Sequence, residues 1–163
     1  MRVQIPPPEQ TKRLKDMALF IGIDPGVNTG FAVWNSVTRS FQDLSTLPID
    51  AALDRVRGIM GNHGDLGGIK MLYFEDARLR KYLPRERNMS EYRGKLMGAG
   101  SVKRDCEIWE DFCKHWGIPY TAVPPRKGLT KWDADTFNKM TGWKCRTSNH
   151  ARDAALLVWQ KGK

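Results

Sequence analysis

The sequence predicts an α/β domain in which a five-stranded mixed sheet is flanked by helices. Short apolar runs of strand length crowd the first third of the chain, amphipathic helical stretches separate the later strands, and turn residues mark the junctions. Hairpins followed by strand–helix–strand crossovers build a sheet of mixed direction. At 163 residues, the chain has the size of one domain.

The first three strands are predicted as a meander with short connections. Residues 17–23 form an apolar run that ends in the turn signal Asp24-Pro25-Gly26. Residues 31–34 and 40–47 follow as the second and third strands.

The middle of the chain alternates helices with strands. Residues 49–60 place their apolar side chains on one helical face, with Asp50 as the predicted N-cap. A fourth strand covers residues 69–74, and a long helix over residues 89–116 stops at Gly117.

The last part of the chain supplies one more strand and two helices. Residues 118–123 are the fifth strand, and a basic loop follows them. A short helix opens at Asp133, and a final helix runs from about residue 148 to about residue 160.

The charge of the chain favours a polyanionic partner. Lys and Arg outnumber Asp and Glu by 27 to 18, which gives a net charge of +9. Such an excess suits nucleic acid, because Lys and Arg release counterions when they neutralise phosphates. A membrane partner is the weaker alternative, since no apolar stretch approaches the ~20 residues that span a bilayer.

The cysteines and the first residues argue against a disulfide-rich, zinc-binding or secreted protein. Three cysteines without CxxC spacing indicate neither a disulfide framework nor a zinc site, and Cys113 near His115 is interpreted as a buried thiol beside a surface histidine. Residues 1–16 are proline-rich and then basic, without the apolar core of a secretory signal. We therefore expect a flexible arm before a single domain of residues 17–163, located in the cytoplasm.

Four side chains form a candidate site. Asp24 and Glu75 end the first and fourth strands, so their carboxylates are adjacent if these strands are parallel neighbours. His150 and Asp153 are three positions apart and share a face of the final helix. Crowded carboxylates repel unless a cation lies between them, and this set could hold two divalent ions for phosphodiester hydrolysis.

Each of these residues also has a simpler interpretation. Asp24 before Pro-Gly is typical of a turn, and Glu75 could pair with Arg78. His150 could be a surface residue, and Asp153 could pair with Arg152 or Lys161 on a solvated face. The combination of two strand-end acids with a helical pair in a basic chain favours the metal site.

The motifs that carry these residues match a known family. GIDPGVNTGFAVW, the strand that ends FE at Glu75, the stretch RGKLMGAG and the terminal HARDAALL resemble the RuvC-type Holliday junction resolvases of the ribonuclease H-like superfamily. The resemblance covers about residues 17–160. The proline-rich arm departs from the usual pattern, and Arg78 stands where some relatives carry an aromatic residue.

The resemblance implies a ribonuclease H-like fold and a homodimeric, Mg²⁺-dependent endonuclease that nicks two opposed strands of a four-way DNA junction. It implies that Asp24, Glu75, His150 and Asp153 are metal ligands and catalytic residues, with Mn²⁺ able to substitute for Mg²⁺. Small chains with extensions suggest a bacteriophage version, so the expected location is the cytoplasm of a bacterium or a phage-infected host. No membrane and no small-molecule substrate are expected.

The predicted DNA contacts lie in two basic stretches. Residues 78–104 contain nine basic residues and only two acidic ones, and the stretch begins three residues after Glu75. A second cluster precedes the last helices, where the resemblance implies a lysine on the scissile phosphate, with Lys131 or Lys127 as the candidate. The predicted DNA-binding residues are Arg78, Arg80, Lys81, Arg85, Arg87, Lys103, Arg104, Arg126 and Lys127, and Lys131 is predicted as catalytic.

Other functions stay open. A broader branched-DNA nuclease, an RNA–DNA hybrid nuclease or an inactive DNA-binding module would share the fold. A sugar-kinase-type phosphotransferase has a similar Asp-Gly turn but needs two lobes and about twice this length. Trp132 and Trp143 are interpreted as packing residues rather than base-stacking platforms.

Overall fold

The sheet has five strands in the order β3-β2-β1-β4-β5. The computed structural model describes residues 18–61, 65–80, 89–125 and 132–162, so the predicted arm lies outside the described residues. The strands are β1 (Leu19–Asp24), β2 (Thr29–Asn35), β3 (Ser40–Leu47), β4 (Ile69–Glu75) and β5 (Tyr120–Val123). The pairs β1–β2 and β2–β3 are antiparallel, whereas β1–β4 and β4–β5 are parallel. The predicted mixed sheet is therefore confirmed.

Four helices and a short 3₁₀ turn surround the sheet within the described residues. They are α1 (Ile49–Ile59), the 3₁₀ turn Ala77–Leu79, α2 (Met89–Trp116), α3 (Ala134–Thr141) and α4 (Asn149–Val158). The bounds of α2 agree with the prediction, and Asp133 and Ser148 cap α3 and α4 through their side chains. In the part of the chain that the structure describes, no helix is long and apolar enough to cross a bilayer.

Several predicted boundaries differ from the structure, including those of β1 and β2, which were expected at residues 17–23 and 31–34. Pro48 rather than Asp50 is the N-cap of α1, because the chain leaves β3 directly into the helix and Asp50 already lies in the first turn. The fifth strand begins at Tyr120 rather than residue 118. The N–H of Ile118 donates to the carbonyl of Cys113, 2.9 Å away, and closes the end of α2 beside Gly117, whose φ is +65°.

One face of the sheet carries α1 and α2. Its core contains Ile23 and Phe74 from the strands, Val56 from α1 and Trp109 from α2, all with 0% exposure. Trp116 was expected on the same apolar side of α2, but it is 41% exposed at the end of the helix, where its ring contacts Phe112 and His115. The buried Cys113 beside an exposed His115 agrees with the prediction.

The other face carries α3 and α4. Ala154, Ala155 and Val158 of α4 are fully buried against β1 and β2. A Cβ atom at Gly22 of β1 would lie 2.1 Å from the carbonyl oxygen of Ala154, a distance that no real contact allows. Small residues on both sides therefore let the backbone of α4 rest directly on the sheet, and this fixes the height of the helix above the strands.

Candidate active site

The two strand-end acids lie next to each other along one edge of the sheet. Ile23 pairs with Phe74 across the parallel strands β1 and β4, and Asp24 and Glu75 are the residues that follow. Ile23 and Phe74 belong to the core on the α1 and α2 side. Because side chains alternate along a strand, Asp24 and Glu75 lie on the α4 side.

The first turn of α4 brings His150 to Asp24. The Nδ1 atom of His150 lies 2.9 Å from Oδ2 of Asp24. In the tautomer that carries the proton on Nδ1, the ring donates to this carboxylate and the lone pair of Nε2 faces away from the bond. The side chain of His150 is 51% exposed and that of Asp24 is 19% exposed. The pair therefore opens onto the solvent at the rim of the sheet.

Gly30 makes this contact possible. It pairs with Asp24 across β1 and β2. A Cβ atom at Gly30 would lie 2.0 Å from the backbone oxygen of His150 and 3.0 Å from Cβ of Asp24. Only glycine at position 30 lets the first turn of α4 pack close enough to the sheet for His150 to contact Asp24. The sequence GVNTG thus contributes a steric gap in addition to a turn.

The four predicted metal ligands are all in described segments of the chain. Within those segments, no three His, Cys, Asp or Glu side chains form a group that could hold a metal ion. The structure joins Asp24 to His150, while Glu75 and Asp153 lie on the adjacent strand and one helical turn along α4. Three carboxylates and one imidazole have the donor chemistry that Mg²⁺ and Mn²⁺ accept. The complete metal set stays a prediction.

An ion-pair network links the end of β4 to α2. The guanidinium of Arg78 donates to the carboxylate of Asp76 at 2.7–3.1 Å and to Oε2 of Glu110 at 2.5 Å. Lys114 and Tyr120 also contact Glu110. Asp76 is 2% exposed, and it follows Glu75 directly. Sequence reasoning treated Arg78 as a DNA contact and did not identify Asp76 or Glu110.

The network stabilises the ionised carboxylates. Burial raises the pKa of Asp76, but the hydrogen bonds and positive charge of Arg78 outweigh that effect and hold the pKa below its ordinary value. Hydrogen bonds from Lys114 and Arg78 lower the pKa of Glu110 to about 2. The hydrogen bond to Asp76, followed by the one to Glu110, raises the pKa of Arg78 despite its partial burial. The pairs therefore stay charged at neutral pH.

The backbone beside Glu75 is held from two directions. The N–H of Asp76 donates to the carbonyl of Val123 on β5 at 2.8 Å. The thiol of Cys106 on α2 donates to the carbonyl of Glu75 at 3.6 Å. Burial raises the pKa of Cys106 to about 11, so this thiol keeps its proton at neutral pH. The backbone at Glu75 and Asp76 is thus hydrogen-bonded to both β5 and α2.

Arg152 is a buried cation, which sequence reasoning considered only as a solvated partner of Asp153. It is 7% exposed, so it does not share the solvated face that was one alternative for Asp153. Its Nε donates to the carbonyl of Trp132 at 3.0 Å, and its Nη1 donates to the carbonyl and hydroxyl of Thr147 at 2.8 and 3.1 Å. Its Nη2 donates to the side chain of Asn149. Arg152 therefore ties two connecting segments to the first turn of α4.

The predicted DNA contacts are only partly described. Arg80, Lys103 and Arg104 are exposed, and Arg104 lies 3.8 Å from Asp105. Trp132 packs its ring edge-on against Phe137 and Trp159, as expected of a packing residue. The predicted residues outside the described ones are Lys81, Arg85, Arg87, Arg126, Lys127 and Lys131.

Comparison with known proteins identifies the fold. The chain resembles the structure of T. thermophilus RuvC in complex with a Holliday junction substrate, with a TM-score of 0.50 and 15% sequence identity. The match covers 87% of this chain and 91% of that one. The sequence matches no protein-family model and no curated protein. At this level of identity the likeness concerns architecture, and we conclude that the chain has an α/β fold of the ribonuclease H-like kind.

Proposed function

We propose that the protein is a metal-dependent endonuclease that cuts four-way branched DNA. The observation that carries this proposal is the contact between Asp24 and His150 at the shared edge of β1 and β4. It supports a site at the carboxyl ends of neighbouring parallel strands, which is where open α/β sheets place their chemistry. The similar fold of a protein bound to a Holliday junction substrate supports the choice of substrate.

In the proposed reaction, water attacks the scissile phosphorus and the 3′ oxygen leaves. Asp24, Glu75, His150 and Asp153 would hold Mg²⁺, with room for two ions and for Mn²⁺ instead. The ions would supply an activated water and charge neutralisation at the phosphate. Asp24 orients the imidazole of His150 through the Nδ1–H bond and leaves Nε2 available as a ligand.

The fold supports precise placement of these side chains. Gly30 sets the height of His150 above the sheet, and the Asp76–Arg78–Glu110 network with the Cys106 thiol holds the backbone of Glu75. Fixed ligands lower the reorganisation that a reaction requires. These contacts are present in the protein without substrate, so they would preorganise the proposed ligands.

Positive charge would hold the DNA in position. The net charge of +9 favours phosphate binding, and Arg80, Lys103 and Arg104 are exposed cations on the segments that follow β4. We keep the other predicted contacts in the proposal, including Lys131 or Lys127 on the scissile phosphate. Two symmetric nicks need two sites, so we also propose a homodimer acting in the cytoplasm.

The test compares three substrates. Purified protein is incubated with a four-way junction, a linear duplex and an RNA–DNA hybrid, each with Mg²⁺, Mn²⁺ or EDTA. We expect paired nicks in the junction that depend on the metal. Preferential cleavage of the hybrid, or junction binding without cleavage by any metal, would contradict the proposal in favour of a hybrid nuclease or a DNA-binding module.

Two variants and one control test the site itself. Asp24→Asn and His150→Ala should each lower cleavage by at least about 100-fold, because each removes a proposed ligand and the bond between them. Asp111→Asn removes an exposed acid on α2, and we expect it to cleave like the wild type. Wild-type cleavage by Asp24→Asn would refute the site.

A further inference from the structure

The connection between α3 and α4 carries two cations that the DNA-binding prediction did not include. This α3–α4 loop, residues 142–147, has the sequence GWKCRT. Lys144 and Arg146 are both exposed. Among the residues that the structure describes, neither cation has an acidic partner within salt-bridge distance. Their charge is therefore available to a partner molecule.

The first end of the α3–α4 loop is fixed by the cap of α3. Gly142 adopts a φ of +74°, and its N–H donates to the carbonyl of Asn138 at 2.9 Å. The N–H of Trp143 donates to the hydroxyl of Thr141 at 3.3 Å. The Trp143 ring packs against the α3 and α4 core of the sheet. Lys144 thus directly follows a residue, Trp143, whose backbone and ring are both held in place.

The second end is fixed by Arg152. Its guanidinium holds both oxygens of Thr147, the residue after Arg146. The next residue, Ser148, caps α4 and contacts the hydroxyl of Thr46 at the end of β3. The α3–α4 loop is therefore a short span between two anchors, and ordering it on a ligand loses little conformational entropy.

The α3–α4 loop leads directly into the candidate active site. His150, which contacts Asp24, is four positions after Arg146 and in the first turn of α4. Lys and Arg side chains are long enough to reach phosphates on a strand that passes over this turn. Two exposed cations, two positions apart on one loop, match a repeating line of phosphates better than a single compact anion.

We propose that the α3–α4 loop binds the DNA backbone beside the Asp24–His150 pair, with Lys144 and Arg146 each contacting one phosphate. Arg152 is the positioning residue that holds the loop in place. The inference extends the proposed nuclease function and rests on it. Because the contacts are to phosphates, they contribute affinity and register rather than sequence preference.

The test removes the two charges and measures the salt dependence of binding. Lys144→Gln/Arg146→Gln is compared with the wild type by fluorescence anisotropy on a labelled four-way junction, in EDTA, over a salt series. Each lost phosphate contact removes about 0.9 from the slope of log K against log salt, so the slope should fall by about 1.8. The corresponding loss of affinity at about 0.1 M salt is about 60-fold.

Two controls separate charge from folding and position. Arg39→Asn/Lys70→Gln removes two exposed cations at the opposite end of the sheet and should keep the wild-type slope. Lys144→Arg/Arg146→Lys keeps the charges and should also keep it. An equal loss of slope in the distant variant, or an unchanged slope in the loop variant, overturns the inference.

The same experiment distinguishes this inference from the proposed function. If the wild type binds the junction and cleaves it with Mg²⁺ while the loop variant keeps its slope, only the role of the α3–α4 loop is refuted. If the wild type neither binds nor cleaves the junction, the proposed function fails and the inference fails with it.

Discussion

Replacement of Gly30 by Ala tests whether the closeness of α4 to the sheet controls activity. The new Cβ would lie 2.0 Å from the backbone oxygen of His150, whereas contacts below 3.0 Å do not occur. Both obstructing atoms of His150 belong to its backbone, so no side-chain rotation relieves the clash. The start of α4 would have to move by roughly 1 Å or more, which breaks the 2.9 Å bond between His150 and Asp24.

The expected effects are large on activity and moderate on stability. A shift of about 1 Å in a catalytic group lowers the rate by about 100-fold. Overpacking of this kind lowers the free energy of unfolding by about 1–3 kcal/mol. Junction cleavage under single-turnover conditions gives the first quantity, and urea unfolding gives the second. Junction binding in EDTA should stay close to wild type, because the exposed cations are untouched.

The matched control is Gly58→Ala in α1. A Cβ at Gly58 meets no atom within 4 Å. Because Ala favours a helix more than Gly does, this variant should be more stable by about 0.5–1 kcal/mol and should cleave normally. If Gly30→Ala retains wild-type cleavage and stability, α4 does not lie as close to β2 as described, and the steric account of the site is refuted.

Three further predictions follow from the buried and charged groups. Arg152→Lys keeps the charge but loses the planar guanidinium, so the carbonyls of Trp132 and Thr147 lose hydrogen-bond donors. Urea unfolding should show that the free energy of unfolding falls by about 2–4 kcal/mol. A decrease below about 0.5 kcal/mol would contradict the anchoring role of Arg152. The folded-state pKa of Glu110 is about 2, below its ordinary 4.5, so its ion pairs contribute stability that is complete above about pH 4.5 and is lost as the pH falls through about 2. The free energy of unfolding of the wild type should therefore exceed that of Glu110→Gln by about 1–3 kcal/mol at neutral pH, and a difference that does not shrink in acid would refute this assignment. A thiol reagent should modify only the exposed Cys145 in the native chain and all three cysteines in urea, whereas rapid native reaction of the two buried thiols would refute their burial.

Elements with strong local signals were predicted well from the sequence. The sequence pattern located α2 and β3 to the residue, and the helix starts expected at Asp133 and about residue 148 coincide with the caps of α3 and α4. The expected N-cap at Asp50 was wrong because a cap depends on where the preceding strand releases the chain. That release point is set by pairing with another strand, which no local pattern contains.

The parts of the site that depend on distant partners could not be predicted. The ion pair of Arg78 could not be predicted by counting charges, because a count contains no information about Glu110, which lies 32 positions away; the DNA contact of Arg78 stays a prediction. The buried role of Arg152 depends on carbonyl groups in two other segments. Gly30 reads as part of a turn until α4 is in place above it. Each of these is a property of tertiary packing rather than of sequence pattern.

The contact between Asp24 and His150 joins residues that are 126 positions apart. The β1–β2–β3 meander closes only short loops and can form early, whereas this contact must await the arrival of α4 from far along the chain. A partly folded chain would thus present a sheet and a lone acid without the imidazole. Such an order of folding would make the contact between Asp24 and His150, and with it the proposed active site, one of the last features to form.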